Sequence, residues 1–337
     1  MDGAVGRVLR PDELAAYRGA PLIVFIGIST AGSSIHRVHP AWAPSLVPGT
    51  ELRGLDLPET VRPDELRRVV TDLCANPAIH GAVVTSHKLR IFEACHELLD
   101  ASDPLAGLTH EFNCLAVSGT PRAYARDPLS LATILDPGGS LDAEHVVCIG
   151  AGGAATALLL AVCLDVGTSL EQSRPVLRPS RRQLTVVGRT ASSLAALRTV
   201  CAGLGLAEDA VPLLLTSDAD EVAAIVADAP PGSVIVNATG LGKTSAASPL
   251  PDATAFPERA VAWDFNYRGP LTFLQQAGAA GLRCVDGWEY FVAGWSAALA
   301  AIAGIPFTNA LLQDATKASA AFAPRTSWTP TGSRPGR

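Results

Sequence analysis

Two short stretches carry residue types suited to holding a dinucleotide. The apolar run Val146–Ile149 leads into Gly150-Ala-Gly-Gly-Ala154 and then into the aliphatic run Ala157–Leu164. This is a strand, a glycine-rich turn and a helix in the order that a pyrophosphate site requires. Gly150 permits the tight turn, Gly152 lets the backbone approach the pyrophosphate, and Gly153 or Ala154 lets the helix pack close to the strand. The free N–H groups opening the helix then face the anion. The second stretch is Leu184-Thr-Val-Val-Gly-Arg-Thr190, followed by Ser192 and Ser193. An acidic residue at the end of this strand suits the ribose diol of NAD, whereas arginine suits the 2′-phosphate of NADP. Gly188, Arg189 and Thr190 offer a bidentate cation and hydroxyl donors with no carboxylate nearby, so the expected cofactor is NADP(H). The competing readings are a structural turn for the glycines and a solvated strand-end side chain for Arg189.

Alternating strands and helices must position these residues, which implies an α/β fold with a mostly parallel sheet. Strands are predicted at Pro21–Ile28, Gly49–Leu55, Gly81–Thr85, Phe112–Val117 and Ala123–Arg126. Further strands are predicted at Val234–Ala238, Ala260–Phe265 and Leu282–Val285. Helices are predicted at Pro11–Tyr17, Pro63–Ala75, Leu89–Leu99 and Tyr290–Ile305. The Pro137-Gly-Gly-Ser140 cluster reads as a linker. The expected organisation is an N-terminal extension (1–20), an α/β substrate domain (21–137), a Rossmann-fold NADP domain (138–284), C-terminal helices returning to the first domain (285–322) and a disordered tail (323–337). The basic, proline-punctuated stretch Asp165–Gln183 is longer than a usual connection. It reads either as a mobile surface loop or as an aid to NADP binding.

Composition narrows the function. With 337 residues the chain has room for two full cores, and its formal charge of −6 argues against nucleic acid. No apolar run reaches membrane-spanning length, and the opening residues lack the long apolar region of a signal peptide. The seven cysteines form no Cys-x-x-Cys pair and several sit in apolar contexts, as expected of reduced core thiols in a cytoplasmic protein. His36, His39, His87 and His96 lack the spacing of a zinc ligand set, so no metal is expected. His87 is expected at the surface.

In order and spacing, these pieces resemble the shikimate dehydrogenase family over residues 21–305. Gly81-Ala-Val-Val-Thr85 followed by Lys88 resembles its Asn-Val-Thr segment and catalytic lysine. Asn113 in Glu-Phe-Asn-Cys resembles the asparagine of Gly-Ala-Val-Asn-Thr, and Asp127 resembles the aspartate of Asn-Thr-Asp. Gly188-Arg-Thr190 resembles Asn-Arg-Thr, and Asn237-Ala-Thr-Gly-Leu-Gly242 resembles the segment that passes the nicotinamide. Asp264, Tyr267, Pro270-Leu-Thr272 and Asp286-Gly287 complete the series. The resemblance implies that Lys88 and Asp127 are catalytic and that Thr30, Ser33, Thr85, Asn113 and Tyr267 bind substrate. It adds Asn237, Thr239, Gly240 and Gly287 to the cofactor residues. Without it, Lys88 reads as a surface lysine opening a helix and Asp127 as an N-cap before Pro128. Thr85 and Asn113 also read as turn residues, and Thr30 and Ser33 as a hydroxyl-rich loop.

Several positions depart from the family. In Ser29-Thr-Ala-Gly-Ser-Ser-Ile-His36, Ala31 replaces the first of two carboxylate-binding serines, and Ser34 replaces a proline. Val83 stands for the asparagine of Asn-Val-Thr, Gly294 stands for a substrate-reaching glutamine, and the Thr85–Lys88 stretch is one residue short. The resulting expectation is an NADP-dependent dehydrogenase that interconverts a ring ketone and a secondary alcohol on a shikimate-like or cyclitol-like polyhydroxylated ring. Lys88 and Asp127 would handle the proton. The alternatives are an authentic shikimate or quinate dehydrogenase and a non-catalytic ligand sensor. The expected partner is the small cyclic substrate alone, with the chain a monomer or homodimer.

Overall fold

The computed structural model describes residues 8–100, 103–135, 141, 143–172, 174–179 and 182–324. The first part of the chain forms β1 (Val8–Leu9), β2 (Leu22–Gly27), α1 (Ile35–Leu46), β3 (Glu51–Asp56), α2 (Pro63–Ala75) and β4 (Ile79–Val84). It continues through α3 (Lys88–Cys95), α4 (Pro104–Thr109), β5 (Cys114–Ala116), β6 (Arg122–Tyr124) and α5 (Asp127–Leu135). There follow β7 (His145–Ile149), α6 (Gly153–Cys163), α7 (Val166–Glu171), β8 (Gln183–Gly188), α8 (Ala191–Gly203), β9 (Leu213–Leu215) and α9 (Ala219–Ala227). The chain closes with β10 (Val234–Asn237), β11 (Val261–Asp264), α10 (Thr272–Ala279), β12 (Arg283–Val285), α11 (Trp288–Ala303) and α12 (Asn309–Ser319).

These elements group into two compact units. One contains residues up to Thr133 together with Leu164–Val176 and Val292–Phe322, and the other contains Ile134–Cys163 and Leu177–Phe291. Each holds one six-stranded sheet. The first has the order β1-β3-β2-β4-β5-β6, parallel from β1 to β4, with β5 and β6 antiparallel. The second, β12-β11-β10-β7-β8-β9, is parallel throughout. Every residue of β2 is buried, as expected of a central parallel strand covered on both faces. On α2, Pro63 sits in the first turn with Asp64 and Glu65, and Leu66, Val69, Val70 and Leu73 form the buried stripe. The second unit's core gathers Val147, Ile149, Val187, Ile235, Phe273 and Leu274.

Both topologies contain a switch point. In the first unit the neighbours β2 and β4 lead onward in opposite directions, to β3 and to β5; in the second, β7 and β10 do the same. A crevice opens outside the carboxyl ends of two such strands, and ligands bind there in open α/β sheets.

The sequence reading and the structure differ in several places, and α4, α8, α9 and α10 are not among the predicted elements. No element was predicted between Ile28 and Gly49, where α1 forms despite Pro40 and Pro44. Both prolines lie on the exposed side, while Ile35, Val38, Trp42 and Leu46 build an apolar face that outweighs the lost backbone bonds. The supposed N-terminal extension contributes β1 to the first sheet, and Pro11–Glu13 makes a single 3-10 turn rather than a helix to Tyr17. Leu14 and Tyr17 turn inward, and Asn76 donates to both of their carbonyls. The stretch read as a loop from Asp165 contains α7, packed on α4 with Val166 and Ser169 buried. Arg182 donates to the Leu135 and Ala143 carbonyls, at the opposite end of β7 from the glycine turn, so it does not assist a nucleotide there. Finally, β9 was not anticipated. The Pro137–Ser140 linker and residues 325–337 of the tail lie outside the described residues. No helix among the described residues is long and apolar enough to cross a membrane.

Candidate active site

In the first unit, the loop after β4 brings Lys88 to the first position of α3, and α5 opens on Asp127. The Lys88 ammonium donates to Asp127 Oδ2, and Asn113 Nδ2 donates to Oδ1 at 2.8 Å. Asn113 Oδ1 accepts from the Arg126 backbone N–H at 2.8 Å, so one amide fixes both the carboxylate and the turn that carries it. Asp103 supports the same turn by accepting from the Ala125 N–H at 2.7 Å and from the Arg126 guanidinium at 3.0 Å. The Lys88 and Asp127 side chains are 18% and 15% exposed, shielded yet reachable. Burial opposes the Lys88 charge, but Asp127 and then Glu111 outweigh it and hold the ammonium above its ordinary pKa. Glu111 itself is raised, by burial first, with Lys88 opposing and Asp127 adding to the rise.

The expected substrate residues are placed unequally. Thr85 is exposed, its hydroxyl 3.4 Å from the Ile26 carbonyl. Ser33 is half-buried, and its hydroxyl accepts from the Ile35 N–H at 3.4 Å. Thr30 departs from the expectation of a ligand anchor. It is fully buried, and both its N–H and its hydroxyl donate to Asp56 Oδ1, at 2.8 and 2.6 Å. A side chain on Gly54 would collide with the Thr30 hydroxyl, so the corner between β2 and β3 is closed around this contact. Asn113 likewise orients Asp127 instead of presenting its amide outward, being 4% exposed. Tyr267 lies in the second unit against Phe291 and Trp288, with ring centroids 4.8 and 5.5 Å away. Nor is His87 at the surface: it is 2% exposed, with Nε2 3.1 Å from the Leu57 carbonyl. His36 packs beneath Thr30 with Nε2 3.1 Å from its carbonyl, and His39 is driven down to a pKa of about 4 by burial and by His36. Among the described residues no cluster of His, Cys, Asp or Glu could hold a metal ion.

In the second unit, a cavity of about 500 Å³ lies at the β7/β10 switch point, and Gly150–Gly152, Arg189, Thr190, Ser193, Thr216, Ser217 and Thr239 line it. Gly150 has φ +113°, and a Cβ there would press on the Ala238 carbonyl at 2.8 Å. A Cβ on Gly152 would meet nothing within 4 Å, which leaves the backbone open where α6 begins at Gly153 and Ala154. Thr190 caps α8, its hydroxyl 2.8 Å from that of Ser193. No Asp or Glu lines the cavity, and Arg189 is exposed with no acidic partner among the described residues. These features fit a dinucleotide carrying an extra phosphate.

The remaining expected cofactor residues stand behind this surface. Asn237 is fully buried: Nδ2 donates to Asp264 and to the Leu241 carbonyl, and Oδ1 accepts from the Thr239 N–H and hydroxyl. It therefore shapes the 238–241 loop. Gly240 takes φ +77° in that loop. A Cβ on Gly188 would strike Leu194 and Ala151, and one on Gly287 would strike the Phe265 carbonyl, so both are packing glycines. Sequence reasoning missed Thr216, Ser217, Asp103 and Asp56. The apolar Leu213–Leu215 ending in Thr-Ser was a usable signal for the first two.

No family model matches the chain. A shikimate dehydrogenase (NADP(+)) of Caulobacter vibrioides is 30% identical over 220 residues, covering 63% of this chain and 66% of that protein, just under two thirds of its length. One of Microcystis aeruginosa is 24% identical over 289 residues, 83% of this chain and 92% of the relative. The crystal structure of a Thermus thermophilus shikimate 5-dehydrogenase with NADP(H) and shikimate has the same fold, with a TM-score of 0.62, 24% identity and coverage of 88% and 99%. The chain is thus similar in sequence to shikimate dehydrogenases and shares their fold. Gly294, the position where the resemblance leads us to expect a glutamine, lies beside Asp127. A Cβ on Gly294 would be 3.9 Å from Asp127 Oδ1 and near nothing else, so the position opens onto the carboxylate. Ala31 is exposed and brings no hydroxyl.

Proposed function

We propose that this chain is an NADP-dependent dehydrogenase that interconverts a ring ketone and a secondary alcohol on a shikimate-like or cyclitol-like polyhydroxylated ring. The carrying observation is the Lys88–Asp127 pair, oriented by Asn113 at a switch point of the first sheet. A cation and an acceptor joined in this way can hold one hydroxyl between them. Lys88 steadies negative charge on the reacting oxygen, and Asp127 fixes the direction of its O–H bond. Thr85 and Ser33 are the hydroxyls left to meet further ring substituents. Gly150, Gly152, Thr190 and Thr239 would hold the dinucleotide, with Arg189 on its 2′-phosphate; when bound, NADPH supplies the hydride. Its free thiols suit a reducing compartment, and we place the enzyme in the cytoplasm.

By the resemblance, Ala31, Val83 and Gly294 stand where polar groups that meet the substrate are expected, so shikimate itself should be a weak substrate. Each buried polar group left unpaired costs about 1–3 kcal/mol. The test is a coenzyme-reduction assay with shikimate, quinate and inositols, each with NADP and with NAD. We expect turnover of a ring alcohol with NADP, and a KM for shikimate above about 1 mM. Efficient shikimate oxidation at micromolar concentration would favour an authentic shikimate dehydrogenase, and binding of a ring alcohol without turnover would favour a sensor.

A further inference from the structure

Thr216 lines the nucleotide cavity, yet its hydroxyl is engaged in a way that phosphate binding does not use. It is the first residue past β9, the edge strand of the second sheet. Its N–H donates to the Gly188 carbonyl at 3.0 Å, which sets it beside Arg189. Its Oγ1 donates to Glu221 Oε2 and accepts from the Asp218 N–H at 3.0 Å. Asp218 in turn caps α9, accepting from the Asp220 N–H at 2.9 Å, so the turn that holds Thr216 is built into the start of that helix. A hydroxyl has one proton and two lone pairs. Here the proton and one lone pair are engaged, and the lone pair that remains can only accept. Ser217 also lines the cavity, but among the described residues no hydrogen bond fixes its hydroxyl, so it can serve a donor or an acceptor equally.

We propose that Thr216 reads the amino group of the cofactor's adenine, and that Glu221 is its positioning residue, holding the hydroxyl proton so that only an acceptor faces the base. The proposal rests on the reading of this cavity as the dinucleotide site. Phosphate oxygens accept hydrogen bonds, so Thr216 offers nothing to the 2′-phosphate on Arg189 or to a pyrophosphate at Gly150–Gly152. What it can take is a donor, and the amino group is the one donor on an adenine whose N9 carries the ribose. The surroundings suit a flat ring: Ala219 and Val222, from the first turn of α9, line the cavity together with Thr216. The strand order agrees. The glycine turn follows β7, Arg189 follows β8 and Thr216 follows β9, on neighbouring strands about 4.8 Å apart. A base that extends from the ribose past Arg189 therefore reaches the edge strand.

The test is isothermal titration of the full chain with NADPH and with deamino-NADPH, in which hypoxanthine puts a carbonyl oxygen where the amine stood. Two acceptors then oppose each other, and NADPH should bind tighter by about tenfold or more. Thr216→Val keeps the shape and removes the acceptor, so the two Kd values should come within about twofold of each other. Thr216→Ser, which keeps the hydroxyl, should retain the wild-type ratio. Glu221→Gln gives Thr216 an amide that can donate to it, which frees the hydroxyl proton to turn into the cavity. Deamino-NADPH should then gain affinity, and the ratio should fall as it does in Thr216→Val. Equal Kd values for the two cofactors in the wild-type chain would overturn the proposal, as would a wild-type ratio that survives in Thr216→Val or in Glu221→Gln. Binding needs no turnover and no ring substrate. A chain that binds neither cofactor would sink the dinucleotide reading and the proposal with it, whereas tight and equal binding of both would sink the proposal alone.

Discussion

At the scale of single residues, two side chains carry the reading, and each is held in part by the other. Lys88→Ala leaves Asp127 held only by Asn113, and Asp127→Asn removes the charge that Lys88 meets. Each substitution should lower kcat by about 10²–10⁴-fold, the range for a positioned acid or base. The double variant should be little worse than either single one, since groups acting as a unit are not additive. NADPH affinity, followed by fluorescence titration, should be unchanged, because neither residue lines the nucleotide cavity. Arg189 is the converse case. With no acid on the cavity wall, NADP should bind at least about tenfold tighter than NAD, worth roughly 1.4 kcal/mol. Arg189→Ala should erase most of that difference, and equal Kd values for the two cofactors in the wild-type chain would refute the assignment.

At the scale of elements, the geometry of the pair depends on two corners. The corner from β6 into α5 is tied by Asp103, which is almost wholly buried and satisfies both a backbone N–H and the Arg126 guanidinium. Asp103→Ala strands that largely buried cation and should cost about 3–5 kcal/mol in denaturant unfolding. Because Asp127 follows directly, kcat should fall with stability; a variant that unfolds more easily but turns over normally would separate the corner from the chemistry. The corner between β2 and β3 is tied by Thr30 on Asp56, with glycine at 54 to admit the hydroxyl. Here a hydroxyl in a loop otherwise suited to ligands serves the fold.

At the scale of the whole molecule, burial of ionisable groups should shape the dependence of stability on pH. His39, 4% exposed, is driven by burial and by His36 to a pKa of about 4 from 6.5, so the folded chain keeps it neutral where the unfolded chain would protonate it. Its contribution is therefore complete above pH 6.5 and is lost as the pH falls toward 4, about 2–3 kcal/mol over the window. His39→Gln lacks this titration. The stability difference between wild type and variant, from urea unfolding at pH 7 and at pH 4.5, should shift against the wild type at the lower pH. The comparison is needed because Asp264, raised to about 6 mainly by burial, titrates in an overlapping window with the opposite slope. A difference constant across that range would show that His39 does not control acid sensitivity.

The sequence by itself determined whatever depends on local spacing and residue type. The α/β alternation, the glycine turn at Gly150–Gly153, the strand ending in Arg189 and the proline-started α2 are written in contiguous residues, because periodicity and backbone freedom are local properties. The sequence also pointed to Lys88, Asp127 and Asn113, but only through the order of motifs, since these residues are brought together by sheet pairing across a span from 88 to 127. What the tertiary structure decided was the partner of each polar group. Thr30, Asn113 and Asn237 are the same residue types whether they meet a ligand or a neighbour, and only the fold shows their donors spent on Asp56, Asp127 and Asp264. The fold likewise decided that α1 survives two prolines, because they fall on its solvent side. A buried polar group must be satisfied by whatever the packing places beside it, and that neighbour is set by contacts distant in sequence.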